Sequence, residues 1–202
     1  MGYIGPRSRQ HVLERRLSTL RRVPAIVIPY RGDAKRRLPA SVRAALAVAM
    51  LGDVVEAALA VGRVLVVTDD PTVAPPGAEV VVDPGSGLGA AVAAGLARID
   101  GHALVVNADL PAVTPAALRQ FADAGLALAA APDGTTNALS LPDPRVFAPL
   151  YGTGSADRFR AHAPFATVSI PELEIDVDSD ADLEFLGARL GPRTRARLAV
   201  PA

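Results

Sequence analysis

Residues 23 to 68 run VPAIVIP (Val23 to Pro29), a short cationic loop, PASVRAALAVAMLGDVVEAALA (Pro39 to Ala60) and RVLVVT (Arg63 to Thr68). A β-branched run, an alanine-rich stretch of helical length and a second β-branched run read as strand, crossover helix and strand, the unit of a parallel sheet. The rhythm continues outward. Strands are predicted at Ala78 to Val82, Ala103 to Asn107, Leu126 to Ala130 and Asn137 to Leu141, with helices at Leu88 to Ile99 and Pro115 to Ala124. Thr114 and Pro115 form an N-cap and first-turn pair. Strands this continuously apolar suit a sheet covered on both faces. The fold class is therefore α/β, one domain with a mostly parallel sheet and helices on both sides. A short helix is expected from Ser155, which is placed to cap it, and a final helix near Asp180 to Leu190, with Ser179 or Asp180 as its cap.

The chain has 202 residues, half of them apolar, and 21 basic side chains balance 21 acidic ones. That is enough for one core and no more, and the charge balance speaks against nucleic acid as a partner. Without cysteine there is no disulfide framework, no thiolate metal site and no cysteine nucleophile, which fits a cytoplasmic setting. The longest apolar stretches, 44–51 and 103–106, fall well short of the roughly 18 to 20 residues a membrane span needs. Residues 1–22 carry six arginines against Glu14 and no secretory pattern. They read as a basic extension ahead of a domain over 23–190, with a loose basic tail over 191–202. The arm is either solvated or in touch with phosphates.

In open parallel sheets ligands bind outside the carboxyl ends of the strands. The first such loop holds Arg31, Lys35, Arg36 and Arg37 against Asp33. It suits a polyphosphate, or equally a solvated surface loop. The third strand leads into Gly85-Ser86-Gly87-Leu88-Gly89, where glycines admit a close ligand and a helix start favours anions. An ordinary strand-to-helix turn has the same composition, and a nicotinamide site is disfavoured because the dinucleotide fingerprint is incomplete. After the fourth strand, Asn107-Ala108-Asp109-Leu110-Pro111 sets a carboxylate at a buried strand end, a natural place for Mg2+. A turn-forming Asp is the plainer reading. Thr135-Thr136-Asn137 and Tyr151-Gly152-Thr153-Gly154-Ser155 supply neutral donors for a second small anion, or simple turns. Asp176-Val177-Asp178-Ser179-Asp180-Ala181-Asp182 packs four acids into seven residues. If that segment is extended, Asp176 and Asp178 point the same way and a shared metal would relieve their repulsion.

Taken together, Pro29-Tyr30-Arg31 with Ala34 to Leu38, Gly87-Leu88-Gly89, Ala108 to Pro111, Gly134 to Leu139, Gly152 to Ser155 and Asp176 to Asp178 resemble the guanylyltransferases of coenzyme F-420 biosynthesis. The resemblance covers about residues 23–186. It implies the Rossmann-like fold of the nucleotide-diphospho-sugar transferase type, with GTP and phosphoenolpyruvate or 2-phospho-L-lactate as partners and Mg2+ as cofactor. It further implies Asp109, Asp176 and Asp178 as metal ligands and Thr136, Gly152 and Ser155 as binders of the phosphorylated acid. Lys35 and Arg37 would balance the triphosphate alongside Asp109 in catalysis, and Arg31, Gly87 and Gly89 would contact the nucleotide. The family commonly has lysine where Arg31 stands, asparagine at Gly89, histidine near Arg158 and Phe159, and Thr-Pro in place of Ser179-Asp180.

The acceptor in such a reaction is already an anion, so no general base is required, and alignment and charge stabilisation supply the rate. Within the same class a molybdopterin or sugar-phosphate nucleotidyltransferase is the alternative. Outside it stand a non-catalytic nucleotide-binding regulator and a nicotinamide oxidoreductase. A homodimer is compatible with the sequence.

Overall fold

A computed structural model describes residues 23–32 and 40–200, with residues 40–42 described by backbone alone. The expected extension over 1–22 and the cations Lys35 and Arg37 lie outside the described residues. Among the described residues, seven strands form one sheet: β1 (Ala25–Pro29), β2 (Arg63–Thr68), β3 (Glu79–Val82), β4 (Ala103–Val106), β5 (Ala127–Ala130), β6 (Thr136–Leu141) and β7 (Ala166–Thr167). Their order is β3-β2-β1-β4-β6-β5-β7. β6 alone runs antiparallel to its neighbours, β4 and β5; every other pairing is parallel.

Alternating side chains feed two cores. Ile26 and Ile28 of β1, Val64 and Val66 of β2, and Leu104 and Val106 of β4 face one side, while Val27, Leu65, Val67 and Val105 face the other. The first core is closed by α1 (Ala40–Leu59), α3 (Pro115–Asp123), α5 (Pro171–Glu174) and α6 (Asp180–Leu186), and the second by α2 (Leu88–Leu96) and α4 (Ser155–His162). Apolar residues of α1 recur as Leu46, Met50, Leu51, Val54, Val55 and Ala58, the helical spacing that lays one face on the sheet. The Thr114 hydroxyl caps α3 by accepting the Ala117 N–H at 3.1 Å, as its position ahead of Pro115 predicts.

Two expectations at helix ends are corrected. Gly154, in the left-handed region, is the N-cap of α4, and Ser155 is its first residue, its hydroxyl turned inward instead of capping. Gly191 does not open a loose tail: α7 (Pro192–Leu198) docks on α1, where the carboxylate of Asp53 accepts N–H bonds from Arg193 and Thr194.

Gly95 sets how closely α2 lies on the sheet. A Cβ there would fall 2.5 Å from Val27 Cγ1 and 3.0 Å from Val67 Cγ2, both on stiff, fully buried side chains. Gly95→Ala is expected to destabilise the protein by about 1–3 kcal/mol through overpacking. Urea denaturation monitored by circular dichroism measures this; an unchanged midpoint would show that the α2 contact yields freely.

Candidate active site

β1 has β2 on one side and β4 on the other, and α1 and α2 leave on opposite faces. This is a topological switch point, where an open sheet leaves a crevice at its carboxyl edge. A cavity of about 170 Å³ lies there, lined by Pro29, Tyr30 and Arg31 at the end of β1, Ala47 and Met50 of α1, Leu88 of α2, and Asn107 to Asp109 after β4. A larger hollow of about 650 Å³, around Asp100, Gly101 and Asp143, opens at the amino ends of the parallel strands and holds none of the predicted site residues. The smaller cavity is the one that topology and side-chain chemistry mark as functional. Burial, aided by the charges of Asp70 and Asp69, holds the Tyr30 phenol above its usual range, so it remains a neutral group at the cavity wall.

The predicted acids converge. Asp109, Asp176 and Asp178 each present a carboxylate oxygen, and these atoms lie within 4.8 Å of one another. Backbone geometry explains how distant segments meet: Val177 donates its N–H to the Asp109 carbonyl at 3.0 Å, and its own side chain is fully buried in the first core. Asp176 and Asp178 flank this anchored residue. Asp182 is spent differently, accepting from the Asp178 and Ser179 N–H groups and from the Ser179 hydroxyl in a capping box that starts α6. An all-oxygen set with no sulfur or imidazole fits a hard divalent cation such as Mg2+.

β6 links this trio to the second predicted subsite. Its pairing with β5 slips by one residue, so that Ala138 faces Ala129, Thr136 faces Ala130, and Asn137 is extra. A bulge re-aims side chains. Asn137 and Ala138 therefore both point to the first core, where the Asn137 amide donates to the Glu174 carbonyl at 3.0 Å and to Asp176 at 3.5 Å. Thr136 turns to the opposite face and accepts the Ser155 hydroxyl at 2.9 Å. Thr136 and Ser155 are almost wholly buried, whereas Gly152 above them is exposed, with φ of 109°. The Gly152 carbonyl accepts the Ser155 N–H, and the Gly134 carbonyl accepts the N–H of Ala156, tying α4 to both loops.

The residues expected to contact the nucleotide separate. Gly87, with φ of 94°, starts α2 without a side-chain cap and has open space before it, which leaves first-turn N–H groups accessible to an anion. Gly89 faces protein instead: a Cβ there would lie 2.6 Å from Pro149 Cβ and 3.0 Å from its Cα. Arg31 pairs with Asp83 across the end of β2, at 3.8 Å.

A MobA-like NTP transferase domain is matched over residues 46–149. The phosphoenolpyruvate guanylyltransferase of Geodermatophilus obscurus is 41% identical over 172 residues, covering 76% of this chain and 78% of the relative. The 2-phospho-L-lactate guanylyltransferase of Natrialba magadii is 34% identical over 192 residues, covering 78% and 80%. This chain belongs to the phosphoenolpyruvate guanylyltransferase family. The resemblance drawn from its six motifs is thereby borne out. Its fold is similar to that of the 2-C-methyl-D-erythritol 4-phosphate cytidylyltransferase of Thermus thermophilus, with a TM-score of 0.56 at 17% identity over 79% of this chain and 95% of that one.

Two departures from the guanylyltransferase pattern now have physical accounts. Asparagine at position 89 would collide with Pro149, so glycine here goes with the close approach of the 144–150 segment. Arg158 donates to the carbonyls of Leu150, Tyr151 and Thr153 at 2.5 to 3.1 Å and so pins the loop that carries Gly152 from outside. Sequence reasoning assigned no role to Arg158 or Asn107, and it read Asn137 only as one of several neutral donors for a second small anion. The Asn107 side-chain amide donates to the Thr136 carbonyl at 3.3 Å, and its Oδ1 is buried with no hydrogen-bond partner among the described residues. Polar side chains at strand ends beside Asp109 and Thr136 were the available signal. No helix among the described residues is long and apolar enough to cross a membrane.

Proposed function

We propose that this protein transfers the guanylyl group of GTP to phosphoenolpyruvate or 2-phospho-L-lactate, releasing pyrophosphate, in coenzyme F-420 biosynthesis, and that the reaction requires Mg2+. One observation carries the reading. Thr136 and Asn137 are consecutive, and one bonds Ser155 on the acceptor side while the other bonds Asp176 on the metal side. Adjacent residues are about 3.8 Å apart at Cα, so although their side chains leave on opposite faces, the start of one strand ties both subsites to the same carboxyl edge of the sheet, where a donor and an acceptor phosphate would have to meet.

Asp109, Asp176 and Asp178 would hold the cation, which when bound neutralises triphosphate charge and polarises the α-phosphate. Lys35, Arg37 and Arg31 would balance the remaining negative charge, and the open helix start at Gly87 would meet phosphate oxygens. Thr136, Gly152 and Ser155 would orient the acceptor. An oxygen of the acceptor phosphate forms the bond to the α-phosphorus, the bond from α-phosphorus to the bridging oxygen of the β-phosphate breaks, and pyrophosphate leaves with the electron pair. No proton moves.

Pyrophosphate release should be followed with GTP and Mg2+ in three parallel reactions containing phosphoenolpyruvate, 2-phospho-L-lactate or no acceptor. Release should depend on an acceptor, with phosphoenolpyruvate the better one, because the more similar relatives act on it by name. Silence with both acceptors in folded protein would overturn the assignment.

A further inference from the structure

Asp53 lies two-thirds of the way along α1, is 5% exposed, and stands among apolar side chains remote in sequence from every motif above. Its carboxylate is fully engaged by the start of α7. Oδ1 accepts the Arg193 N–H at 2.9 Å, and Oδ2 accepts the Thr194 N–H at 2.9 Å and the Thr194 hydroxyl at 2.6 Å, with Thr194 wholly buried. Burying a carboxylate is costly unless its oxygens are bonded in this way. The neighbouring positions are shaped to match. A Cβ on Gly191 would fall 2.2 Å from Asp53 Cγ, and one on Gly52 would fall 2.5 Å from Arg193 Cδ.

The same segment reaches the metal loop. Gly191, held against Asp53, donates its N–H to the Pro111 carbonyl at 2.7 Å. Two residues earlier the Asp109 carbonyl accepts from Val177, and between them Leu110 is fully buried. The loop carrying Asp109 is thus fastened at both ends, once by the segment of Asp176 and Asp178 and once by the C-terminal segment. We infer that Asp53 is a positioning residue for the metal site: by fixing α7 and Gly191 it sets the Pro111 end of the loop, and with it the place of the Asp109 carboxylate. The inference rests on the metal role proposed above. Residues in a packed chain of contacts leading to a site, without touching its ligand, typically change affinity by about 2- to 30-fold.

Mn2+ is the probe, with free ion counted by electron paramagnetic resonance in titrations of the full chain, and thermal unfolding recorded in parallel. Wild type should bind and Asp109→Ala should not. Asp53→Asn, which turns an amide donor toward donors of α7, should remain folded at the assay temperature and bind Mn2+ about 3- to 10-fold more weakly. Gly191→Ala, which displaces the same contact while keeping the carboxylate, should weaken binding in the same direction, and Thr194→Val by less. If Asp53→Asn does not fold, Thr194→Val and Gly191→Ala carry the comparison. Variants that are folded and less stable, yet bind Mn2+ as wild type does, would overturn the positioning role and leave the metal reading intact. Wild type that fails to bind Mn2+ would remove the metal reading and this inference with it.

Discussion

Replacing Asp109 by alanine is expected to lower guanylyl transfer about 10³-fold, roughly 4 kcal/mol of transition-state stabilisation, while leaving the protein folded. The size follows from position. Asp109 is the member of the trio on the central strand end, and it lines the switch-point cavity as well as belonging to the carboxylate cluster. On the proposed reading, losing it would remove a ligand from the point where the triphosphate and the cation would meet. In calorimetry, added Mg2+ should raise the midpoint of wild type and not that of Asp109→Ala, because an ion that binds the native state stabilises it by mass action. A folded Asp109→Ala protein with full turnover would refute the assignment.

The sheet was legible because its strands are buried on both sides and hence continuously apolar: Val64 to Val67 and Leu104 to Val106 admit little else. The same continuity conceals direction. Nothing within Asn137 to Leu141 says that this strand runs backwards; the information sits in the loop before it. There Asp133 accepts from the N–H and hydroxyl of Thr135, and Gly134 takes φ of 82°, closing a hairpin between β5 and β6. An Asp-Gly pair between two apolar runs is a hairpin signal, and it supplies the reversal that brings Thr136 to the carboxyl edge of the other strands. The carboxylates could be found because acids at strand ends and in dense clusters are unusual. Asp53 could not, since one acid in a long apolar helix reads as a point on its exposed face, and its partners lie about 140 residues away. Gly191 and Gly89 are similar cases. Each marks a close approach by a segment whose path the local sequence does not encode.

Thr136→Val should lower kcat/KM for the acceptor about 30- to 100-fold, with the KM for GTP within about twofold of wild type, a loss of about 2–3 kcal/mol. Proton counting gives the reason. Thr136 and Ser155 carry two hydroxyl hydrogens and form one hydrogen bond with each other, so the pair retains one donor for a third group. That donor is buried and has no acceptor among the described residues; an anion bound there would supply one. The turn beside it, Gly152 to Gly154, has positive φ at both glycines, 109° and 68°, a conformation that side chains resist. Valine keeps the shape of threonine and discards the donor, and also strands the Ser155 hydroxyl. Thr136→Ser restores both hydrogens and should recover most of the acceptor efficiency at unchanged GTP affinity. Steady-state kinetics with each substrate varied in turn separates the outcomes. Equal losses toward GTP and acceptor would instead indicate that the bulge at Asn137 had collapsed, and an unaltered acceptor KM and kcat would remove Thr136 from the acceptor subsite.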